Sequence, residues 1–366
     1  MKLNKVIISG GGTGGHIFPA IAIADEIKRR NPDADILFIG AEGKMEMEKV
    51  PQAGYKIIGL AIAGFQRKFT FSNLLLPFKI LKSMAKAKRI LKEFKPEVVI
   101  GVGGYASGPT LKAATMLNIP TLVQEQNSFA GKTNKILGKS VNTICTAYEG
   151  MEKFFPKEKI ILTGNPVRKE MVEIDGKRNE AFNFYQLDSS KKTMLVIGGS
   201  LGARTLNEAM VNHIQLLQEN DVQVLWQCGK FYFETLQAEL KEKDLSGIHL
   251  TQFIAQMDLA YAMADVIVSR AGAISVSELC LVQKPMILVP SPNVAEDHQT
   301  HNAMALVNKL AALLVKDAEA KEQLIPTSIK LLNDTDLCNE LRLNSQHLAK
   351  PLATEEIVNE IEKLVK

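Results

Sequence analysis

At 366 residues the chain is longer than one hydrophobic core usually serves, so two domains are the default. Its 44 basic and 40 acidic residues leave a net charge of +4, which gives no ground for nucleic-acid binding. Four scattered cysteines, Cys145, Cys228, Cys280 and Cys338, lack metal-ligand spacing and read as free thiols. No apolar run approaches the about 20 residues that span a bilayer and no signal peptide is visible, so any membrane contact is expected to be peripheral.

In chain order, the apolar strand candidate Val6–Ile8 runs into Ser9-Gly10-Gly11-Gly12-Thr13-Gly14-Gly15-His16, which opens a helix from Ile17 to Arg30. Glycines let backbone N–H groups approach a ligand, and a helix N-terminus adds donors and partial positive charge, so the site suits a phosphate. Gly10, Gly12 and Gly15 also satisfy G-x-G-x-x-G, a weak dinucleotide signal with Glu42 as the one acidic candidate after the strand Ile36–Ile39. The Gly15-His16 ending and a second glycine loop further on count against that reading.

Next comes a basic and apolar stretch. Phe65, Phe69, Phe71, Leu74, Leu75, Leu76 and Phe78 precede seven basic residues between Lys79 and Lys95, against the single acid Glu93. Such a segment can lie on an anionic membrane surface, or be a solvated helix face with its phenylalanines in the core. After the strand Val98–Val102 a third glycine cluster spans Gly101 to Pro109, and Gln124-Glu125-Gln126-Asn127 follows the strand Thr121–Val123. In a parallel sheet all these segments reach the carboxyl rim, so His16, Tyr105, Glu125 and Asn127 are predicted to converge there.

The strands Thr143–Cys145 and Lys159–Leu162 complete the first half, and a domain boundary is predicted near Gly164-Asn165-Pro166. The second half repeats the plan with strands at Met194–Ile197, Val222–Trp226, Val266–Val268, Met286–Val289 and Ala312–Val315. Gly198-Gly199-Ser200-Leu201-Gly202-Ala203-Arg204 is its glycine loop. Ser269 to Glu278 follows another strand, with Glu278 placed to accept hydrogen bonds from ribose hydroxyls. His298 and His301 lack the spacing of a zinc helix, and Asp33/Asp35 and Asp334/Asp336 read as turn or surface residues, so no metal site is predicted. Without a metal, helix N-termini and cations such as Arg168 or Arg270 would have to neutralise a diphosphate. A terminal helix is predicted from a Thr354 cap, its Ile357, Ile361 and Leu364 stripe packing back on either domain. The expected fold is α/β, with two Rossmann-like doubly wound domains and a cleft between them, 1–163 and 164–349, with 350–366 returning to the first.

Taken together, GGGTGGHIFPA from Gly10, GVGGYASGP from Gly101, QEQN from Gln124, GNPVR from Gly164, GGSLGAR from Gly198, SRAGAISVSE from Ser269 and DHQTHNA from Asp297 resemble the MurG family of bacterial peptidoglycan N-acetylglucosaminyltransferases, within the glycosyltransferase B superfamily. The resemblance implies transfer of N-acetylglucosamine from UDP-N-acetylglucosamine to the muramoyl C4 hydroxyl of lipid I, giving lipid II with inversion. It also implies that the first domain lies on the acceptor and membrane side and that the second binds the UDP-sugar. It implies donor contacts at Thr13, Gly14, Gly15, Asn127, Arg168, Ser200, Ile254, Ala273, Ile274, Ser275, Val276, Ser277, Glu278 and Gln299. It places Gly103 and Gly104 at the acceptor diphosphate and makes His16 the usual candidate base, with Tyr105 beside it and Glu125 orienting or replacing it. No tightly bound cofactor is implied, and help from a divalent ion is left open. The implied partners are lipid I, an anionic membrane surface at the cytoplasmic face, and other cell-wall synthesis proteins, with no nucleic acid. A UDP-sugar 2-epimerase, a nicotinamide oxidoreductase and a noncatalytic UDP-sugar sensor are the rival readings.

Overall fold

Near-continuous apolar runs become the interior strands of two parallel sheets in the computed structural model, which describes residues 3–62 and 76–365. The first sheet contains β1 (Lys5–Ser9), β2 (Asp35–Ala41), β3 (Lys56–Leu60), β4 (Val98–Gly101), β5 (Thr121–Glu125), β6 (Thr143–Thr146) and β7 (Ile160–Leu162), in the order β3-β2-β1-β4-β5-β6-β7. The second contains β8 (Lys192–Ile197), β9 (Val222–Gln227), β10 (Ile248–Thr251), β11 (Val266–Ser269), β12 (Met286–Leu288) and β13 (Leu313–Leu314), in the order β10-β9-β8-β11-β12-β13. Each sheet reverses direction of growth beside its own first strand. That switch point is where an open α/β sheet leaves a crevice at its carboxyl edge. Register aligns the loops there: Ser9 faces Gly101 and Ile197 faces Ser269, so the segments that follow leave the sheet side by side.

Alternation across the pleat sends successive residues to opposite faces. In the first sheet Val6, Ile8, Val98, Ile100, Leu122 and Cys145 pack under the helix Gly14–Arg30, through Ile17, Ile21 and Ala24. Ile7, Val99, Val123 and Ile144 face the other way, onto Ala87, Ile90 and Leu91 of the helix Leu76–Phe94 and onto Leu111 and Ala114. In the second, Met194, Val196, Val224, Trp226 and Val268 meet Leu206, Met210, Leu217, Leu324 and Ile325. Each fully buried aliphatic side chain contributes about 1.5–3 kcal/mol. Trp226 donates its ring N–H to the buried Asn207 at 2.9 Å, so its one polar atom costs nothing.

The chain forms two compact units, residues 1–167 with 350–366, and 168–349. Gly164 and Asn165 belong to the first because their polar groups are used there. The Gly164 N–H donates to the Thr146 carbonyl, and Asn165 bonds Gln124 and the Gln126 carbonyl. The last helix, Ala353–Leu364, buries Ile357, Val358 and Ile361 against the first unit, and Arg30 holds it through Asn359 and the Glu355 carbonyl. Its cap is Leu352, with no side-chain hydrogen bond, and Thr354 lies already inside the helix, which corrects the capping assignment. Sequence reading missed β3 and β10, both edge strands.

Candidate active site

In the first unit the loops after β1 and β4 stack backbone on backbone. A Cβ on Gly10 would run into Val102, and one on Gly104 would run into the Gly11 carbonyl. Gly11 and Gly12 adopt φ values of +145° and +91°, which side chains rarely tolerate. The helix Gly14–Arg30 starts directly after Thr13, with no acid in its first turn, so the partial positive charge of its N-terminus is not offset there by a side chain. Thr13 and Gly15 are exposed and Gly14 half-buried. His16 lies against Gly103, where any Cβ would strike the imidazole. Its Nδ1 is 3.1 Å from the Gly11 carbonyl oxygen. A carbonyl only accepts, so Nδ1 carries the proton in this contact, and in the neutral ring the lone pair is then on Nε2. Tyr105, at 48% exposure, stands on the same rim.

Glu125 is buried and its carboxylate is filled. Oε1 accepts the backbone N–H of Asn127 at 3.0 Å and its side chain at 3.3 Å. Oε2 accepts Gly131 N–H at 3.1 Å and Asn134 Nδ2 at 2.9 Å. Burial pushes its pKa up, against those donors, which pull it down. The geometry is that of a group organising the 126–131 loop, and so of one that sets the place of Asn127. Gln126 donates to the Val102 carbonyl at 2.9 Å, which ties this loop to the one after β4. Glu42 spends its carboxylate on Lys86 at 3.0 Å.

In the second unit the loop after β8 closes on the turn after β9: a Cβ on Gly229 would overlap Gly202, and Gly198 N–H donates to the Gln227 carbonyl. Ser200 is exposed before the N-terminus of the helix Arg204–Asn212. After β11, Gly272 caps the helix Ala273–Val282, again with no acid in its first turn. Ala273 and Val276 are buried, whereas Ile274, Ser275 and Ser277 are half-buried. Glu278 lies a turn further along, its carboxylate accepting the Tyr261 hydroxyl at 3.0 Å. Burial raises its pKa to about 6, with the Tyr261 hydrogen bond and the Arg168 charge opposing. Arg168 itself is exposed, near Met171.

Arg270 is engaged elsewhere: it pairs with Asp317 at 2.5 Å and donates to the Val289 carbonyl at 3.0 Å. Asp317 also accepts the Thr205 hydroxyl at 3.1 Å. Arg270 therefore fastens loops together through one nitrogen of its guanidinium group. Gln299 gives its amide oxygen to Ser291 N–H at 2.8 Å, so its NH2 group is what it can offer a ligand. Ile254 is 2% exposed, so the residue is buried as a whole. Asp334 caps the helix Thr335–Leu348 by accepting Leu337 N–H at 2.9 Å.

Sequence reasoning missed Glu46, Asn134, Tyr261, Asn302 and Asp317. Asn302 is buried and holds the Ala271 carbonyl at 3.2 Å ahead of the Gly272 cap. Its place in DHQTHNA was the available signal. Glu46 lies 34 residues from the Gly12 N–H it binds, and Asn134, Tyr261 and Asp317 bind the side chains of Glu125, Glu278 and Arg270, which the fold brings to them. Among the described residues no cluster of three or more His, Cys, Asp or Glu is arranged to hold a metal ion.

Residues 6–146 match the model of the glycosyltransferase family 28 N-terminal domain and residues 193–357 that of the family 28 C-terminal domain. A protein from Flavobacterium psychrophilum, named UDP-N-acetylglucosamine--N-acetylmuramyl-(pentapeptide) pyrophosphoryl-undecaprenol N-acetylglucosamine transferase, is 55% identical over 368 residues, covering 100% of this chain and 99% of its own. One of the same name from Bacteroides fragilis is 53% identical over 362 residues, covering 98% and 95%. The crystal structure of Acinetobacter baumannii MurG superposes with a TM-score of 0.77 at 30% identity, covering 98% of this chain and 99% of that one. Two Rossmann-ordered sheets, each with a glycine loop feeding a helix at its switch point, thus coincide with full-length similarity, and the chain belongs to glycosyltransferase family 28.

Proposed function

We propose that this chain transfers N-acetylglucosamine from UDP-N-acetylglucosamine to the muramoyl C4 hydroxyl of lipid I, forming lipid II with inversion at the anomeric carbon. The observation that carries the reading is the full-length identity with relatives named for this transfer, joined to an anion-binding loop in each unit. The second unit takes the donor. Glu278 accepts the ribose hydroxyls, Ile254 and the Gln299 amide are assigned to the nucleotide, and Arg168, Ser200 and the run Ala273 to Ser277 line the diphosphate. As the bond from C1 to the diphosphate oxygen breaks, negative charge gathers on UDP. The N-termini of the helices Arg204–Asn212 and Ala273–Val282 stabilise that charge without reorganising.

The first unit takes the acceptor. Gly103 and Gly104 are assigned to the acceptor diphosphate, whereas Thr13, Gly14 and Gly15, at the start of a helix whose N-terminus favours negative charge, are assigned with Asn127 to the donor. An alcohol is a poor nucleophile until a base removes its proton during attack. His16 Nε2 is the atom with a lone pair for that step. Tyr105 offers an exposed hydroxyl beside it, and Glu125 acts through the Asn127 loop. Among the described residues no helix is long and apolar enough to cross a membrane. We assign docking at the cytoplasmic membrane face to the helix Leu76–Phe94, whose Phe78 and Leu81 are exposed beside Lys79 and Lys82. Phe65, Phe69, Phe71, Leu74 and Leu75 lie outside the described residues. Contacts with other cell-wall synthesis proteins would follow from that location.

Incubation with labelled UDP-N-acetylglucosamine and a lipid I analogue tests the reading. Label should appear in a lipid product heavier by one N-acetylhexosamine. Conversion of the donor to its 2-epimer with no acceptor present would point to an epimerase, and binding with no turnover to a sensor.

A further inference from the structure

We infer that Glu46 is a positioning residue for the transfer, acting on His16 through the single peptide unit that joins Gly11 and Gly12. This deepens the proposed function and rests on His16 being the base. Glu46 opens the helix Glu46–Gln52 and is 1% exposed. A buried carboxylate is costly unless its oxygens are hydrogen-bonded. Here Oε1 accepts Ala41 N–H at 2.9 Å and Oε2 accepts Gly12 N–H at 2.8 Å. Space for the carboxylate exists because side chains are missing around it: a Cβ on Gly11 would overlap the carboxyl group, and one on Gly40 would overlap its Cγ.

The geometry of the peptide unit makes this a relay. Its N–H donates to Glu46, and its C=O, pointing the opposite way, accepts from His16 Nδ1 at 3.1 Å. Two consecutive glycines at positive φ leave this peptide free to turn over unless something fixes it. A turned peptide would present N–H to Nδ1. That nitrogen would then have to accept, Nε2 would hold the proton, and the base would be lost. The Glu46 carboxylate prevents this by binding the N–H. An anionic acceptor on one end of a peptide also strengthens the hydrogen bond at the other end. Glu46 thus does across one peptide what a carboxylate bonded directly to an imidazole does elsewhere: it selects the ring tautomer.

The test is Glu46→Gln, since glutamine keeps the shape but can accept only one of the two N–H groups and sets an NH2 against the other. Turnover should fall about 10- to 100-fold while the donor KM moves less than about three-fold. With imidazole nitrogens labelled, the 15N shifts of neutral His16 should report the Nδ1–H tautomer in the parent and move toward Nε2–H in the variant. A purely packing role would not produce that change. Should Glu46→Gln fail to fold, Gly40→Ala displaces the same side chain and should give the same tautomer shift and loss of turnover. Unchanged turnover and tautomer in a folded variant would overturn the inference. Unchanged turnover in His16→Ala would instead remove the base assignment beneath it.

Discussion

His16 and Glu278 both act in the deprotonated form under the proposed function, and each sets a prediction. In the proposed role His16 takes a proton at Nε2, and the contact from Nδ1 to the Gly11 carbonyl favours the tautomer that leaves Nε2 unprotonated. His16→Ala should lower turnover by roughly 100-fold or more, in the range of a lost general base, and change donor affinity little. Equal turnover in parent and variant would exclude the role. Glu278 has a pKa of about 6, raised mainly by burial, so above pH 6 the folded unit holds a charge it would rather not. The sign follows from linkage. A raised carboxylate favours the folded state fully below the unfolded value near 4.5, and that contribution is lost as pH rises through 6. The cost at pH 8 is at most about 2 kcal/mol. Glu278→Gln should therefore unfold a few degrees higher than the parent at pH 8 and match it at pH 4.5, as followed by thermal melts. The same variant should bind UDP about 10-fold or more weakly at pH 8, because a hydrogen bond to a charged acceptor is lost. Parent affinity should drop as pH falls through 6 while that of the variant stays flat. Calorimetric titration with UDP checks both, and a flat parent profile would show that the carboxylate does not meet the ligand.

At the level of elements, the interior strands and the glycine loops were legible because their signals are local. Val6 to Ile8, Val98 to Val102 and Val266 to Val268 are continuous apolar runs, as strands buried on both faces must be. Two of the four edge strands were not legible: Gly59 interrupts β3, and His249 and Thr251 make β10 look polar. Braces such as Glu46, Asn134 and Asp317 were hidden for a different reason. Their partners, Gly12 N–H, the Glu125 carboxylate and Arg270, are brought near only by the fold. The last helix illustrates a pattern read correctly in type but not in its cap. Its Ile357 and Ile361 are fully buried on the helix Gly14–Arg30 and its sheet. Ile361→Ala should destabilise the first unit by about 2–5 kcal/mol, lowering the denaturant midpoint. A midpoint equal to the parent's would mean the helix does not pack in solution.

For the molecule as a whole, the chemistry requires a soluble nucleotide and a lipid-borne alcohol to be handled by one chain. The exposed Phe78 and Leu81 beside Lys79 and Lys82 match the lipid side of that requirement. Reversing Lys79 and Lys82 to Glu should weaken sedimentation with anionic vesicles roughly 10-fold or more, since each basic group near such a surface contributes about 1 kcal/mol. Binding unaffected by these changes, or by raised salt, would place the membrane contact elsewhere. The most direct test of the account is the configuration and position of the new bond in the product made from UDP-N-acetylglucosamine and a lipid I analogue, read by NMR. A single displacement driven by His16 predicts an inverted linkage to the muramoyl C4 hydroxyl, formed only when acceptor is present. A retained linkage, or an acceptor left unmodified, would contradict it.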